Sequence, residues 1–90
     1  MKSAKRFVVH GKVQGVGYRA FAATCAEALQ VAGWVRNCPD GTVEVVAEGT
    51  VDQLRELAFD LSRGARYARV IKIEQSEIPP EGLRGFSVRR

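Results

Sequence analysis

The sequence predicts an α+β fold in two layers, with helices packed on a mostly antiparallel sheet. Two observations carry this. Segments of helical apolar period occur twice, with a strong hairpin signal between them, and strand-like segments bracket the whole. The resulting order, β-α-β-β-α-β with a short extra C-terminal strand, is that of a ferredoxin-like sandwich.

The elements follow in order. Phe7, Val9, Gly11 and Val13 alternate with Val8, His10 and Lys12, which makes a strand with one strongly apolar face. From Phe21 the period changes: Phe21, Cys25, Ala28, Leu29 and Ala32 fall at helical spacing, with Glu27 and Gln30 left to solvent. Gly33 is the expected helix stop. WVRN and TVEVV are then joined by CPDG, where Asp-Gly favours a tight turn and Pro39 fixes one φ. Val43, Val45 and Ala47 alternate with Glu44 and Glu48, and only Val46 breaks the pattern.

Gly49 ends that strand. Thr50 and Gln53 have the spacing of a capping box, and Asp52 sits in the first turn, where the helix dipole favours it. Val51, Leu54, Leu57, Ala58 and Leu61 form the apolar stripe, and Gly64 closes the helix. Tyr67 to Ile73 reads as a strand whose alternation falters at Val70 and Ile71. Pro79, Pro80 and Gly82 make a loop, and Phe86 and Val88 mark a short last strand.

Ninety residues, 46% hydrophobic and 27% charged, suit one small globular domain over residues 1–90. The net charge of +4 is mild and mixed along the chain. Arg63, Arg66, Arg69 and Lys72, with Arg84, Arg89 and Arg90 further on, fall short of a nucleic-acid stripe and read as solvated surface. A small anionic substrate suits the same balance. No N-terminal apolar run fits a signal peptide and none approaches a membrane span, so a cytoplasmic protein without a membrane partner is expected. Cys25 and Cys38 have neither scaffold nor metal spacing. Free thiols are expected, with a pairing between them left open.

Residues 14–21, QGVGYRAF, open the first helix with two glycines and an arginine. Gly15-Val16-Gly17-Tyr18-Arg19-Ala20 fits the dinucleotide fingerprint G-x-G-x-x-A, with Asp40 about twenty residues beyond. That reading needs a parallel βαβ unit with the acid at the end of its second strand, whereas Asp40 belongs to the hairpin turn. A second reading is a plain tight turn. Arg19 speaks against it, because a cation in the first turn opposes the helix dipole at a cost of a few tenths of a kcal/mol, roughly. An anion between Arg19 and the loop amides reverses the sign, so the stretch reads as a phosphate cradle. The physics leaves the carrier of that phosphate open. Among other candidates, His10 reads as a surface or network residue, Asn37 taken alone as a turn residue, Trp34 as packing and Cys38 as a small neutral neighbour. Tyr18 either stacks near the loop or closes the pocket floor.

GKVQGVGYR resembles the acylphosphatase signature: glycine, any residue, Val-Gln-Gly-Val, any residue, aromatic, Arg. GWVRNCPDGTVEVVAEG resembles that family's second signature, and GARYARV and the closing GFSVR are similar to its tail. The chain departs in Gln30-Val31, where the family often has Gly-Leu, and in Tyr18, where Phe is commoner. The resemblance implies metal-independent, cofactor-free hydrolysis of small acyl phosphates such as acetyl phosphate, carbamoyl phosphate or 1,3-bisphosphoglycerate. It implies that Arg19 binds the phosphoryl group, that Asn37 orients the attacking water, and that loop N–H groups over Gln14, Gly15, Val16, Gly17 and Tyr18 hold phosphoryl oxygens.

The expected topology agrees. In a β-α-β crossover both strands run parallel, so Arg19, just beyond the first, and Asn37, at the end of the second, share one sheet edge. An acyl phosphate carries its own good leaving group, a carboxylate, so positioning and stabilisation of the phosphoryl oxygens suffice and the substrate phosphate can take the water's proton. A monomer is expected. Two other classes stay open: an accessory domain of the same fold, as at the start of larger hydrogenase-maturation proteins, and a small RNA- or DNA-binding module. The first would want zinc-finger cysteines after the domain, the second aromatic side chains on a sheet face.

Overall fold

The computed structural model describes residues 2–90. The elements run β1 (Ser3–Lys12), α1 (Tyr18–Ala28), β2 (Ala32–Asn37), β3 (Val43–Gly49), α2 (Val51–Arg63), β4 (Arg69–Ile78) and β5 (Phe86–Arg89). The five strands form one sheet in the order β4-β1-β3-β2-β5. Every pairing is antiparallel except the parallel one between β2 and β5. The expected α+β sandwich is therefore the fold found. α1 packs over β2, β3 and β5, α2 over β1, β3 and β4, and the helices touch each other, so both cover one sheet face.

The core lies between these layers. Phe7 and Val9 of β1, Val35 of β2, and Val43, Val45 and Ala47 of β3 meet Ala22 and Ala26 of α1 and Leu54, Leu57 and Leu61 of α2. Each large apolar side chain so buried contributes on the order of 1.5–3 kcal/mol. All seven residues of the central strand β3 are buried, including Glu44 and Glu48, which point to the face without helices. Glu44 accepts hydrogen bonds from Arg6 and, at 2.6 Å, from Arg36 Nε. Burial alone raises its pKa, but the two guanidinium groups outweigh that and hold the carboxyl below its usual range. Glu48 is also held low, first by the Glu81 amide and then by those of Leu83 and Gly82, against burial.

α2 follows expectation. Thr50 and Gln53 form both halves of the capping box, Asp52 stands in the first turn and Gly64 is the C-cap. Only Val51 departs from the stripe, at 57% exposed. α1 is shifted from its expected face. The fully buried line is Tyr18, Ala22 and Ala26; Phe21, Cys25 and Leu29 flank it partly buried, Ala28 is exposed, and Ala32 belongs to β2. Alanines on the buried line let the helix lie close to the sheet, while the larger side chains fill its margins.

The helix also stops earlier than Gly33. Leu29 is the C-cap, and Gln30 takes the left-handed conformation (φ 60°) that glycine usually supplies. Val31 N–H reaches back to the Ala26 carbonyl at 3.1 Å. Gly33 has another task inside β2: a Cβ there would lie 1.8 Å from the Val46 carbonyl oxygen. β4 runs to Ile78, beyond the expected Ile73, because its residues 74–77 pair with β1 along an exposed edge that apolar alternation does not mark. Its faltering at Val70 and Ile71 is a β-bulge opposite His10 and Gly11.

Two outcomes are expected. Gln30→Gly should stabilise the protein by about 0.5–1 kcal/mol, read as a higher urea midpoint at unchanged slope, since glycine holds this conformation without strain. The carboxyls of Glu44 and Glu48, with Asp40 and Glu74, all lie below their usual range. Depressed carboxyls contribute stability above their unfolded pKa and lose it as pH falls through the folded one. Stability should therefore hold from neutrality to about pH 4 and decline below, and Glu44→Gln should flatten that decline.

Candidate active site

The chain leaves β1 at Lys12, buries Val13, and turns through Gln14–Gly17 into α1. Gly15 (φ 75°) and Gly17 (φ 80°) both take the left-handed conformation, which costs other residues about 1–2 kcal/mol each. Gly17 is the N-cap of α1 and has no side chain to cap the helix with. The first helical bond runs from Phe21 N–H to the Gly17 carbonyl, so the amides of Tyr18, Arg19 and Ala20 have no partner within the helix. No acidic residue stands in this first turn. The loop thus presents uncompensated N–H groups and a positive dipole end.

Tyr18 fixes this end in space. Its ring is buried and its hydroxyl donates to the Leu61 carbonyl at 2.8 Å, tying the start of α1 to the end of α2. Burial drives its pKa well up, so it stays neutral. Of the two roles open in the sequence, it takes the pocket floor.

Gln14 fixes the loop laterally. Its side-chain amide donates to the carbonyls of Cys38 (2.8 Å) and Thr42 (2.9 Å), in the turn between β2 and β3. Asp40 closes that turn by accepting from the Thr42 amide and hydroxyl, and these bonds hold its carboxyl below the usual range. Asn37 ends β2 immediately before this turn.

The loop, the end of β2 and the end of β5 enclose a hollow of about 240 Å³, lined by Val13, Gly15, Gly17, Tyr18, Arg19, Ala20, Asn37 and Val88. Of the residues singled out in the sequence, Gly15, Gly17, Tyr18, Arg19 and Asn37 meet there. Gln14 and Val16 do not line it: Gln14 points its side chain at the hairpin turn, and Val16 packs against the core. Arg19 donates one Nη1–H to the Arg89 carbonyl at 2.9 Å, and no carboxylate pairs with it among the described residues. Asn37 Oδ1 is buried and accepts from no group of the protein.

β5 is the part the sequence reading did not connect to the site. Val88 walls the hollow and the Arg89 carbonyl steadies Arg19. The alternation in FSVR marks a strand, but local pattern carries nothing about its parallel pairing beside β2. His10 lies away from the hollow and meets Glu74 at 2.7 Å. Trp34 packs under the guanidinium groups of Arg36 and Arg89, 5.7 and 4.3 Å from its ring centre. Cys25 and Cys38 are free thiols. No group of three or more His, Cys, Asp or Glu among the described residues is placed to hold a metal ion.

Three comparisons with known proteins bear on this site. The family model described as acylphosphatase matches residues 5–88. An acylphosphatase from Cupriavidus necator is 49% identical over 89 residues, covering 98% of this chain and 95% of its own. The crystal structure of acylphosphatase from Bacillus subtilis superposes with a TM-score of 0.96 at 36% identity over the whole of both chains. HypF from T. kodakarensis contains a similar domain, 34% identical with a TM-score of 0.86, which makes up 12% of that chain.

Gln14→Ala removes both bonds between the loop and the hairpin turn. It should cost about 1–2 kcal/mol in denaturant melts, with faster amide exchange concentrated at residues 38–42.

Proposed function

Since the chain belongs to the acylphosphatase family, we propose that Arg19 holds the phosphoryl group and Asn37 the attacking water in a metal-independent hydrolysis of acyl phosphates. The observation that carries this assignment is the company kept in one hollow: a cation without a carboxylate partner, helix-end amides without helical partners, and a buried amide oxygen without a donor.

Each group then has one task. With Nη1 committed to Arg89, the rest of the Arg19 fork donates to two phosphoryl oxygens. Amides of the Gly15–Ala20 stretch donate to the remaining oxygen and bring the positive end of α1 to the charge that spreads over the phosphoryl group in the transition state. Asn37 Oδ1 accepts from the water and aligns it with phosphorus, opposite the acyl oxygen. The water oxygen bonds to phosphorus, the phosphorus–acyl oxygen bond breaks, and a carboxylate leaves with the electron pair. The water's proton passes to a phosphoryl oxygen, giving inorganic phosphate. No side-chain base is required, and His10 is engaged elsewhere.

The same reading takes the chain as a free-standing monomeric domain acting in the cytoplasm on a small substrate. The acylphosphatases it matches from Cupriavidus necator and Bacillus subtilis are covered over 95% and 100% of their own length, and among the described residues no helix is long and apolar enough to cross a membrane. Nucleic acid fits poorly: Trp34, on the sheet face without helices, is already stacked by two arginines and gives bases no free platform.

Acetyl phosphate hydrolysis should survive a chelator. Arg19→Ala and Asn37→Ala should each lower kcat/KM by about 10²–10³ while remaining folded, with phosphate inhibition lost in the first and retained in the second. Wild-type activity in either variant, or a requirement for added metal, overturns the assignment. A pH profile unchanged in His10→Ala is expected; loss of the acidic limb there would instead implicate the histidine as a base.

A further inference from the structure

We propose that Glu48 is a positioning residue for the phosphoryl site, acting through the connection between β4 and β5. It sits in β3 on the face away from the helices, opposite Ala4 of β1 and Ala32 of β2, and is 2% exposed. A carboxylate so buried is costly unless its oxygens are filled. Three consecutive backbone amides fill them: Glu81 N–H on Oε2 at 2.6 Å, and Gly82 and Leu83 N–H on Oε1 at 3.1 and 2.9 Å. Charge-assisted bonds of this kind are about twice as strong as neutral ones, and converging amides make an anion nest.

The clasped segment has no regular structure of its own. It leads directly into β5, a four-residue edge strand paired with β2, with one further bond from Gly33 N–H to the Gly85 carbonyl at 2.8 Å. So short an edge strand depends on how its entry is held. β5 in turn supplies the Arg89 carbonyl to Arg19 and Val88 to the wall of the hollow. A chain of contacts therefore runs from the Glu48 carboxylate through residues 81–83 and β5 to the guanidinium. Glu48→Gln keeps the shape but turns an N–H₂ or a weaker oxygen toward donors, which loosens β5 and frees Arg19 from its aimed position. The inference rests on Arg19 being the phosphoryl ligand.

The test compares inhibition by inorganic phosphate and the KM for acetyl phosphate in wild type, Glu48→Gln and Leu57→Val, the last a core variant on the buried side of α2 that serves as a stability control. Glu48→Gln should raise both constants roughly fivefold or more with a smaller change in kcat, and Leu57→Val should raise neither. In an Arg19→Lys background the effect of Glu48→Gln should largely vanish, because both act on one contact. Equal constants in Glu48→Gln and wild type, or full additivity with Arg19→Lys, overturn the role of Glu48. Phosphate inhibition unaffected by Arg19→Lys or Arg19→Ala overturns instead the reading of Arg19 itself. Should Glu48→Gln fail to fold, wild type alone decides: coupling is reciprocal, so saturating phosphate must slow hydrogen exchange at the amides of Glu81, Gly82 and Leu83. Unchanged exchange there overturns the proposal.

Discussion

The pairing of β3 with both β1 and β2 is the constraint on which the rest depends. Because β3 is antiparallel to each, β1 and β2 run the same way and end at the same edge of the sheet. That alone brings the loop after β1 beside the last residue of β2, and Gln14 then locks the two together through the hairpin turn. The cost of a central position is that β3 is buried on both faces. Its two carboxylates cannot be left to water, and each is satisfied by groups that have further uses. Glu44 gathers Arg6 and Arg36 across three strands, and Glu48 gathers the segment leading to β5.

The site itself is assembled against local preference. A helix usually begins with a capping side chain and an acid in its first turn; α2 has both, and α1 has neither. α1 begins instead on a left-handed glycine and carries Arg19 where the dipole opposes it. A buried amide oxygen lies nearby without a donor. Such departures are tolerable only where the surroundings fix the geometry, and here they do: Tyr18 anchors the helix end below, Gln14 the loop at its side, and Arg89 the guanidinium from across the hollow. On the proposed reading, a phosphoryl group in the hollow would answer several of these deficits at once.

How far the sequence could be read follows from the range of the forces involved. The ends of α2 are legible because a capping box, a first-turn acid and a terminal glycine are local chemistry, and only the outward turn of Val51 is not. The hairpin was legible for the same reason, from Pro-Asp-Gly. α1 was legible in place but not in rotation: small alanines carry little weight in an apolar pattern, yet they form the contact line with the sheet. Its end was misplaced because Gln30 adopts a conformation whose usual marker is glycine, and Gly33 offered a false stop. The alternation places Glu44 and Glu48 on one face of their strand, but no local pattern reveals that cross-strand arginines and a returning loop cover them. Arg19, Gly15, Gly17 and Asn37, singled out by motif spacing and physical cues together, share one hollow. The contribution of β5 was not legible, because a parallel edge pairing is a long-range event that leaves no mark in four residues.

Arg89 belongs to both sides of the sheet at once. Its carbonyl steadies Arg19 at the mouth of the hollow, while its guanidinium lies 4.3 Å from the ring centre of Trp34 on the opposite face. The chain has a single tryptophan. An indole emits according to the charge and solvent at its surface, so this protein carries its own optical probe, joined through Arg89 to the guanidinium of Arg19. Fluorescence from the native chain, without any label, should therefore follow the seating of its last strand.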